Sequence, residues 1–317
     1  MCVYSGYWIT AAIMSMLSAA ALTQTVPPPQ TSDTNAISVT VTPVGRSESA
    51  PPAIAQSDLI VPQGNKTRPV LSWAAVNSTD PKLDLAVVID DALVASTAAQ
   101  WKYVRSFLAS LPSGARVAVA YARRGAIEMA QQPTPDHALA STALRNPAGA
   151  DMIDGSPYEA LQALIRGWPS RQGRREIILI SSGIDYYSGG ASAEAADWPS
   201  LEKTIDQAQL KGIVIYSIFA KPTKLQSEYE QTVTLGQNAM NHLSTATGGK
   251  AFYSGFAADP SFQPYLQEIQ SSLEQQYILT FQAEPGSKAA FADLHVAVGY
   301  KSVQFRSQAR VFVPAAK

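Results

Sequence analysis

Two adjacent carboxylates, Asp90 and Asp91, end the β-branched apolar run Leu85-Ala86-Val87-Val88-Ile89. A carboxylate at the end of a buried strand can hold a hard cation through oxygen, or act as the nucleophile in phosphoryl transfer. The second chemistry needs another acid, commonly two residues on, together with Mg²⁺ and a cation for the phosphate. Position 92 is Ala, and the best candidate cation, Lys221, lies with Pro222 and Lys224 in what reads as an ordinary basic loop. An Asp-based phosphoryl transferase therefore ranks last. Hydrolytic chemistry fares no better. His137, His242 and His295 have neither metal-ligand nor triad spacing, and no Gly-x-Ser-x-Gly elbow is present. Each is read as a partly exposed structural histidine. Gly189-Gly190 has no second glycine pair at phosphate-cradling spacing and reads as a flexible loop.

Aromatic residues gather near a second acid. Tyr186 and Tyr187 follow Asp185, and Tyr158 and Trp198 lie within reach of the same strand ends. Two readings stand side by side. They form an aromatic rim that anchors a partner, or they pack over the strand ends as core.

The elements that must position these groups alternate between two periods. Leu83–Ser96 reads as a strand running into a loop, and Trp101, Val104, Phe107, Leu108 and Leu111 then recur at helical spacing. Further strands are expected at 115–121, 126–130, 176–180, 213–219 and 250–253, and helices at 135–144, 157–168, 201–211, 235–247 and 264–275. This order implies a doubly wound α/β fold with a mostly parallel sheet covered on both faces. Ligand sites in such sheets lie beyond the carboxyl ends of the strands, where Asp90 and Asp91 fall. The period-two runs 276–281, 294–298 and 309–313 read as a small C-terminal β appendage, the first of them a candidate to end the main sheet. The expected organisation is a leader at 1–25, a spacer at 26–80, the α/β domain at 81–283 and a β-rich tail at 284–317. The spacer is read from its Pro, Ser, Thr and Gln content, although the alternation in Ala36–Thr42 also allows a short edge strand.

The whole chain narrows the function classes. A formal net charge of −1 over 317 residues gives no long-range pull toward nucleic acid or anionic membrane. Tyr7–Leu22 is apolar and ends in small residues, shorter than the roughly 20 residues a membrane span needs. It reads as a secretory leader, but no Lys or Arg precedes it, so an uncleaved anchor stays open as the one route to a membrane. The single cysteine, Cys2, lies before that core, so a mature chain would have no disulfides. A secreted or cell-envelope (periplasmic) location follows as the expectation.

From Leu83 to Phe281 the chain resembles the von Willebrand factor type A (VWA) domain, within it a group common in acidobacterial genomes. The resemblance rests on Leu85-to-Asp90, Ile177-to-Gly183, Gly212-to-Ile218 and the passage Leu243…Thr247-Gly248-Gly249-Lys250-Ala251-Phe252. In that family an Asp-x-Ser-x-Ser loop, a Thr and a second Asp hold Mg²⁺ for a partner's carboxylate. The resemblance implies Asp90 for the first Asp, Ser156 for the Thr and Ser182 in place of the second Asp, with Asp185 three residues on. Ala92 and Val94 stand where the serines should be. The implied site is degenerate, with Asp91, Asp154 and Asp185 as an acidic rim. No cofactor is expected, and Mg²⁺ or Ca²⁺ is the ion a working site would take. The function implied is a non-catalytic protein-binding module. Its partner surface would include Asp91, Tyr158, Tyr186 and Tyr187. The alternative is a scaffold that binds through its spacer or β tail.

Overall fold

The computed structural model describes residues 35–45, 53–76, 82–149, 155–169, 173–187, 198–223, 229–253, 261–299 and 303–316. Five strands come first: β1 (Ala36–Gly45), β2 (Leu59–Ile60), β3 (Pro62–Gln63), β4 (Lys66–Thr67) and β5 (Val70–Ala75). The alternating stretch follows, with β6 (Leu83–Asp90), α1 (Trp101–Ser110), β7 (Arg116–Arg123), β8 (Ala126–Thr134), α2 (His137–Thr142) and α3 (Pro157–Gly167). It continues through β9 (Arg174–Ser181), α4 (Pro199–Lys211), β10 (Ile213–Phe219), α5 (Tyr229–Ala246), β11 (Ala251–Phe252) and α6 (Gln263–Glu274). The chain then runs through β12 (Tyr277–Gln282), β13 (Ala290–Asp293), β14 (Ala297–Val298), β15 (Val303–Arg306) and β16 (Arg310–Val313).

Every residue of β6 is buried, because both faces of its sheet are covered. Leu85, Val87 and Ile89 point to one side and pack with Trp101, Val104 and Leu108 of α1 and Leu266 and Ile269 of α6. Ala86 and Val88 point to the other, against Leu161 of α3, Ile205 of α4 and Leu243 of α5. Fully burying each leucine, valine or isoleucine here contributes about 1.5–3 kcal/mol, so an unbroken apolar run is what a strand in this place requires. The sheet order is β11-β10-β9-β6-β7-β8, parallel throughout except for the antiparallel edge strand β8. Arg124 (φ 50°) and Gly125 (φ 76°) both have positive φ, the backbone of a type I′ two-residue hairpin between β7 and β8. The chain winds outward in both directions from the β6–β9 pair, which makes that pair the topological switch point.

The described parts of the expected spacer and tail pack together. β1 pairs antiparallel with β12 through Val39 opposite Leu279, and its last residues pair with β15. A four-stranded sheet results, in the order β15-β1-β12-β5. The segment 36–75 is thus not a free spacer over its described residues, and β1 is an interior strand rather than an edge. The reason is the apolar side of its alternation. Val39 and Val41 close a separate core with Ile54, Val61, Leu279, Phe281 and Val311. The boundary at 283 also shifts, because β12 joins this second sheet and not the central one.

The two layers meet at a buried polar junction. Arg174 at the start of β9 donates to Glu176 (3.3 Å), to the Leu273 carbonyl (3.0 Å) and to Gln276, and Gln276 donates to Glu176 (3.3 Å) and the Tyr216 hydroxyl (3.2 Å). Burial raises the Glu176 pKa, and Arg174 and Gln276 oppose that shift. Residues 1–25 lie outside the described residues. Among the described residues, no helix is long and apolar enough to cross a membrane.

Candidate functional site

Strand register places Ile89 opposite Ile180, so β6 and β9 end side by side with Asp90 next to Ser181. The Ser181 hydroxyl donates to Asp90 Oδ2 at 2.7 Å, and the Ala92 amide donates to Oδ1 at 3.0 Å. Asp90 is 7% exposed. Burial pushes its carboxyl above the ordinary range, and the Ser181 and Ala92 hydrogen bonds pull against that shift. The resemblance implies Ser182 in place of the second Asp, and it is the Ser181 hydroxyl that meets Asp90. Ser182 reaches Asp90 through its backbone amide, which also opposes the shift, while its hydroxyl stays in its own turn and accepts from the Ile184 amide at 3.5 Å.

Asp185 is fully buried and ties three segments together. Its Oδ2 accepts from Ser156, the N-cap of α3, at 2.9 Å, and from the hydroxyl of Ser200 in the first turn of α4. Its Oδ1 accepts from the Tyr187 amide at 3.0 Å. Ser156 also caps α3 by accepting from the Glu159 amide at 3.4 Å, and Pro157 follows in the first turn. Ser200 was not anticipated. Only Pro199, as a helix-start residue, hinted at a polar group there.

Asp91 is not on a partner surface, because it has no exposed area. Both its oxygens are held by the Arg145 guanidinium, at 2.7 and 3.1 Å, and the Ala148 amide adds a third bond at 2.9 Å. Arg145 lies over the Tyr121 ring, 3.7 Å from its centroid. This bidentate pair pins the loop after α2 to the end of β6. No local spacing could have found Arg145, which is 54 residues from Asp91.

The aromatic residues divide. Tyr158 is fully buried, donates to the Gly183 carbonyl at 2.6 Å and packs against Trp198 at 6.2 Å between centroids. Neither can touch a partner. Tyr186 is half-buried, and its hydroxyl is buried without a hydrogen-bond partner among the described residues. Burial, with the Asp90 charge second, pushes it up to about 12. Tyr187 is 73% exposed. Asp154 and the Gly189-Gly190 loop lie outside the described residues.

Asp90, Ser156, Tyr186 and the Arg124-Gly125 turn line a cavity of about 10 Å³, room for one water. The β7–β8 turn and the loop before α3 touch here, since a Cβ on Gly155 would lie 2.3 Å from the Gly125 nitrogen. A divalent cation needs six or more oxygens, octahedral for Mg²⁺. The first loop offers Asp90 alone, with Ala92 and Val94 at the hydroxyl positions, and both Asp90 oxygens already accept hydrogen bonds. These residues do not fit the ion. Among the described residues no group of three His, Cys, Asp or Glu side chains converges on one point. The histidines are apart: His137 bonds the Ala115 carbonyl at 2.9 Å, His242 pairs with Glu202 at 2.7 Å, and His295 is exposed in the loop between β13 and β14.

No protein-family model matches the sequence, and no curated protein is detectably similar. Solved structures are similar over part of the chain. An aerotolerance-related membrane protein from Bacteroides fragilis is 12% identical, over 60% of this chain and 98% of that one, with a TM-score of 0.43. The vWF domain of the type V pili tip protein Mfa5 from Porphyromonas gingivalis is 13% identical, over 62% and 97%, with a TM-score of 0.40. The VWA domain of SpRpn10 is 11% identical, over 61% and 96%, with a TM-score of 0.39. Each likeness is partial. The strand order and register of the central sheet establish the α/β fold by themselves.

Proposed function

We propose that the chain is a non-catalytic, extracytoplasmic VWA-like module that binds a protein partner through its strand-end loops without a metal ion. One observation carries the reading. The acids at the switch point, Asp90, Asp91 and Asp185, are all buried and engaged by groups of the chain itself, while Tyr187 beside them is 73% exposed. Groups held this way position loops; they are not presented to a substrate. An exposed tyrosine next to a rigid buried framework is the kind of residue that anchors an interface. The scaffold alternative, with binding through spacer or tail, is less favoured because β1 and β5 are paired with β12, and β1 with β15.

The test is the thermal midpoint of the full chain in EDTA and in millimolar Mg²⁺, Ca²⁺ or Mn²⁺. An ion that binds only the native state at 100 times its Kd adds about 2.7 kcal/mol, a visible rise. We expect no rise with any ion. Capture of an envelope partner should survive EDTA and weaken at least tenfold in Tyr187→Ala. A rise abolished by Asp90→Ala, or capture lost in EDTA, contradicts the proposal.

A further inference from the structure

β8 is the outer strand of the central sheet beyond β7, and no backbone group pairs with its outer edge among the described residues. In the two-residue hairpin that opens it, Arg123 and Ala126 face each other as a hydrogen-bonded pair. Alternation then turns the N–H and C=O of Glu128 inward, toward Tyr121, and those of Ile127 and Met129 outward, away from β7. A second extended backbone laid alongside would meet these four main-chain groups at the spacing of a β ladder.

The flank of this edge carries a matching feature. The side chains of Ile127 and Met129 lie on the α3 face of the sheet, half-buried against its core. Beside them, Ala86, Ala118 and Ala163 offer only methyl groups and leave an apolar cavity of about 230 Å³. The register shifts after Met129, so exposed Gln132 joins the same wall and the cavity opens along the edge. An apolar cavity of about 150 Å³ takes up benzene, so this one has room for an aliphatic side chain. Free main-chain groups beside a side-chain pocket are what recognition by strand addition uses.

Charge decides between occupants. Glu128 points to the opposite face, where it pairs with Arg123 at 2.9 Å and lies 3.7 Å from Arg145. Two copies paired with Ile127 opposite Met129 would set two Glu128 carboxylates against each other, and the shift at Ala130 ends the regular edge. A short segment of another chain meets neither obstacle if its residue opposite Glu128 is uncharged.

We propose that β8 takes up an extended peptide segment of another protein as an added antiparallel strand. Apolar residues of that segment lie opposite Met129 and Ile127, over the cavity, and an uncharged polar residue between them lies opposite Glu128. This surface runs along the sheet edge and does not depend on the reading of the strand-end loops.

The probe is acetyl-Thr-Val-Thr-Leu-Thr-amide, added to the isotope-labelled full chain. It should move the Ile127 and Met129 amide resonances, and Tyr187→Ala should bind it as wild type does. N-methylation of its Val and Leu, whose N–H groups would face β8, should abolish binding, whereas N-methylation of the central Thr should not. Gly in place of its Leu should weaken binding about tenfold to a hundredfold, the effect of burying one leucine side chain. Ala163→Leu, which fills the cavity, should erase that preference, with its thermal midpoint showing that it folds. The proposal is overturned by no binding at millimolar peptide, by equal loss from the two methylation patterns, or by an unchanged leucine preference in folded Ala163→Leu. A dimer of the chain alone with protected Ile127 and Met129 amides would give the edge to a second copy and overturn it as well.

Discussion

Asp90 is a carboxylate held by a serine hydroxyl and by backbone amides inside the protein, and its behaviour follows from that burial. Its native pKa is raised above 3.8, so between the unfolded and native values the folded chain keeps a proton that the unfolded chain has released. Stability therefore falls as pH rises through that window and levels off above the native pKa. Asp90→Asn removes this dependence while an amide can still accept from Ala92 and donate to Ser181. Urea unfolding from about pH 4 to pH 8 should give a flatter profile for the variant, and at about pH 8 a midpoint at or above wild type. Glu176, also raised by burial, contributes the same slope to both proteins, so the difference isolates Asp90. A variant with a steeper profile would contradict the assignment. Asp90→Ala, which deletes its hydrogen bonds, should cost about 1–3 kcal/mol at neutral pH. The position of Asp90 was legible from the apolar run before it. Its hydroxyl partner was not, because Ser181 and Ser182 are adjacent in sequence and only the register of β9 against β6 decides which side chain meets it.

The starts of α3 and α4 are joined to the β9 loop through Asp185, which accepts from Ser156, Ser200 and the Tyr187 amide. In a site built around a cation, the ion would bring such loops together; here one carboxylate does so. Asp185→Ala should cost roughly 2–4 kcal/mol, because it leaves two hydroxyls and an amide without their acceptor. Hydrogen exchange should speed up first at the amides of the opening turns of α3 and α4, with β12 little affected. Uniform acceleration across the molecule would mean that Asp185 supports the whole fold rather than these two helix starts. The helix boundaries themselves were largely legible. Pro157 opens α3, and Gly212, at φ 61°, ends α4 where a side chain would be strained, while α4 begins at Pro199, two residues before the expected 201. That both helices point their first turns at one buried acid was not legible, since it depends on how they pack across the sheet.

Segments that precede and follow the alternating stretch in the chain build the second sheet. β12 has β1 on one side and β5 on the other, and the core beneath takes residues from Val39 to Val313. A chain beginning at Lys82 would therefore expose Leu279 and Phe281 and leave β12 without either neighbour. We expect such a truncation to aggregate or to lose hydrogen-exchange protection across β12 and β15, whereas a chain beginning near Asn35 should fold with both protected. A stable, protected β12 in the shorter chain would overturn this. The amino-acid sequence by itself determined the alternation of strands and helices, the doubly wound central sheet and the place of Asp90 at its switch point. Those properties follow from local periodicity and from turn and cap residues, which each segment carries alone. Tertiary structure alone decided that β1 of the presumed spacer is an interior strand, that Asp91 belongs to Arg145, that Tyr158 and Trp198 are core and that Tyr187 is exposed. Each is a choice of partner between residues far apart in the chain, and such choices are made by register and burial.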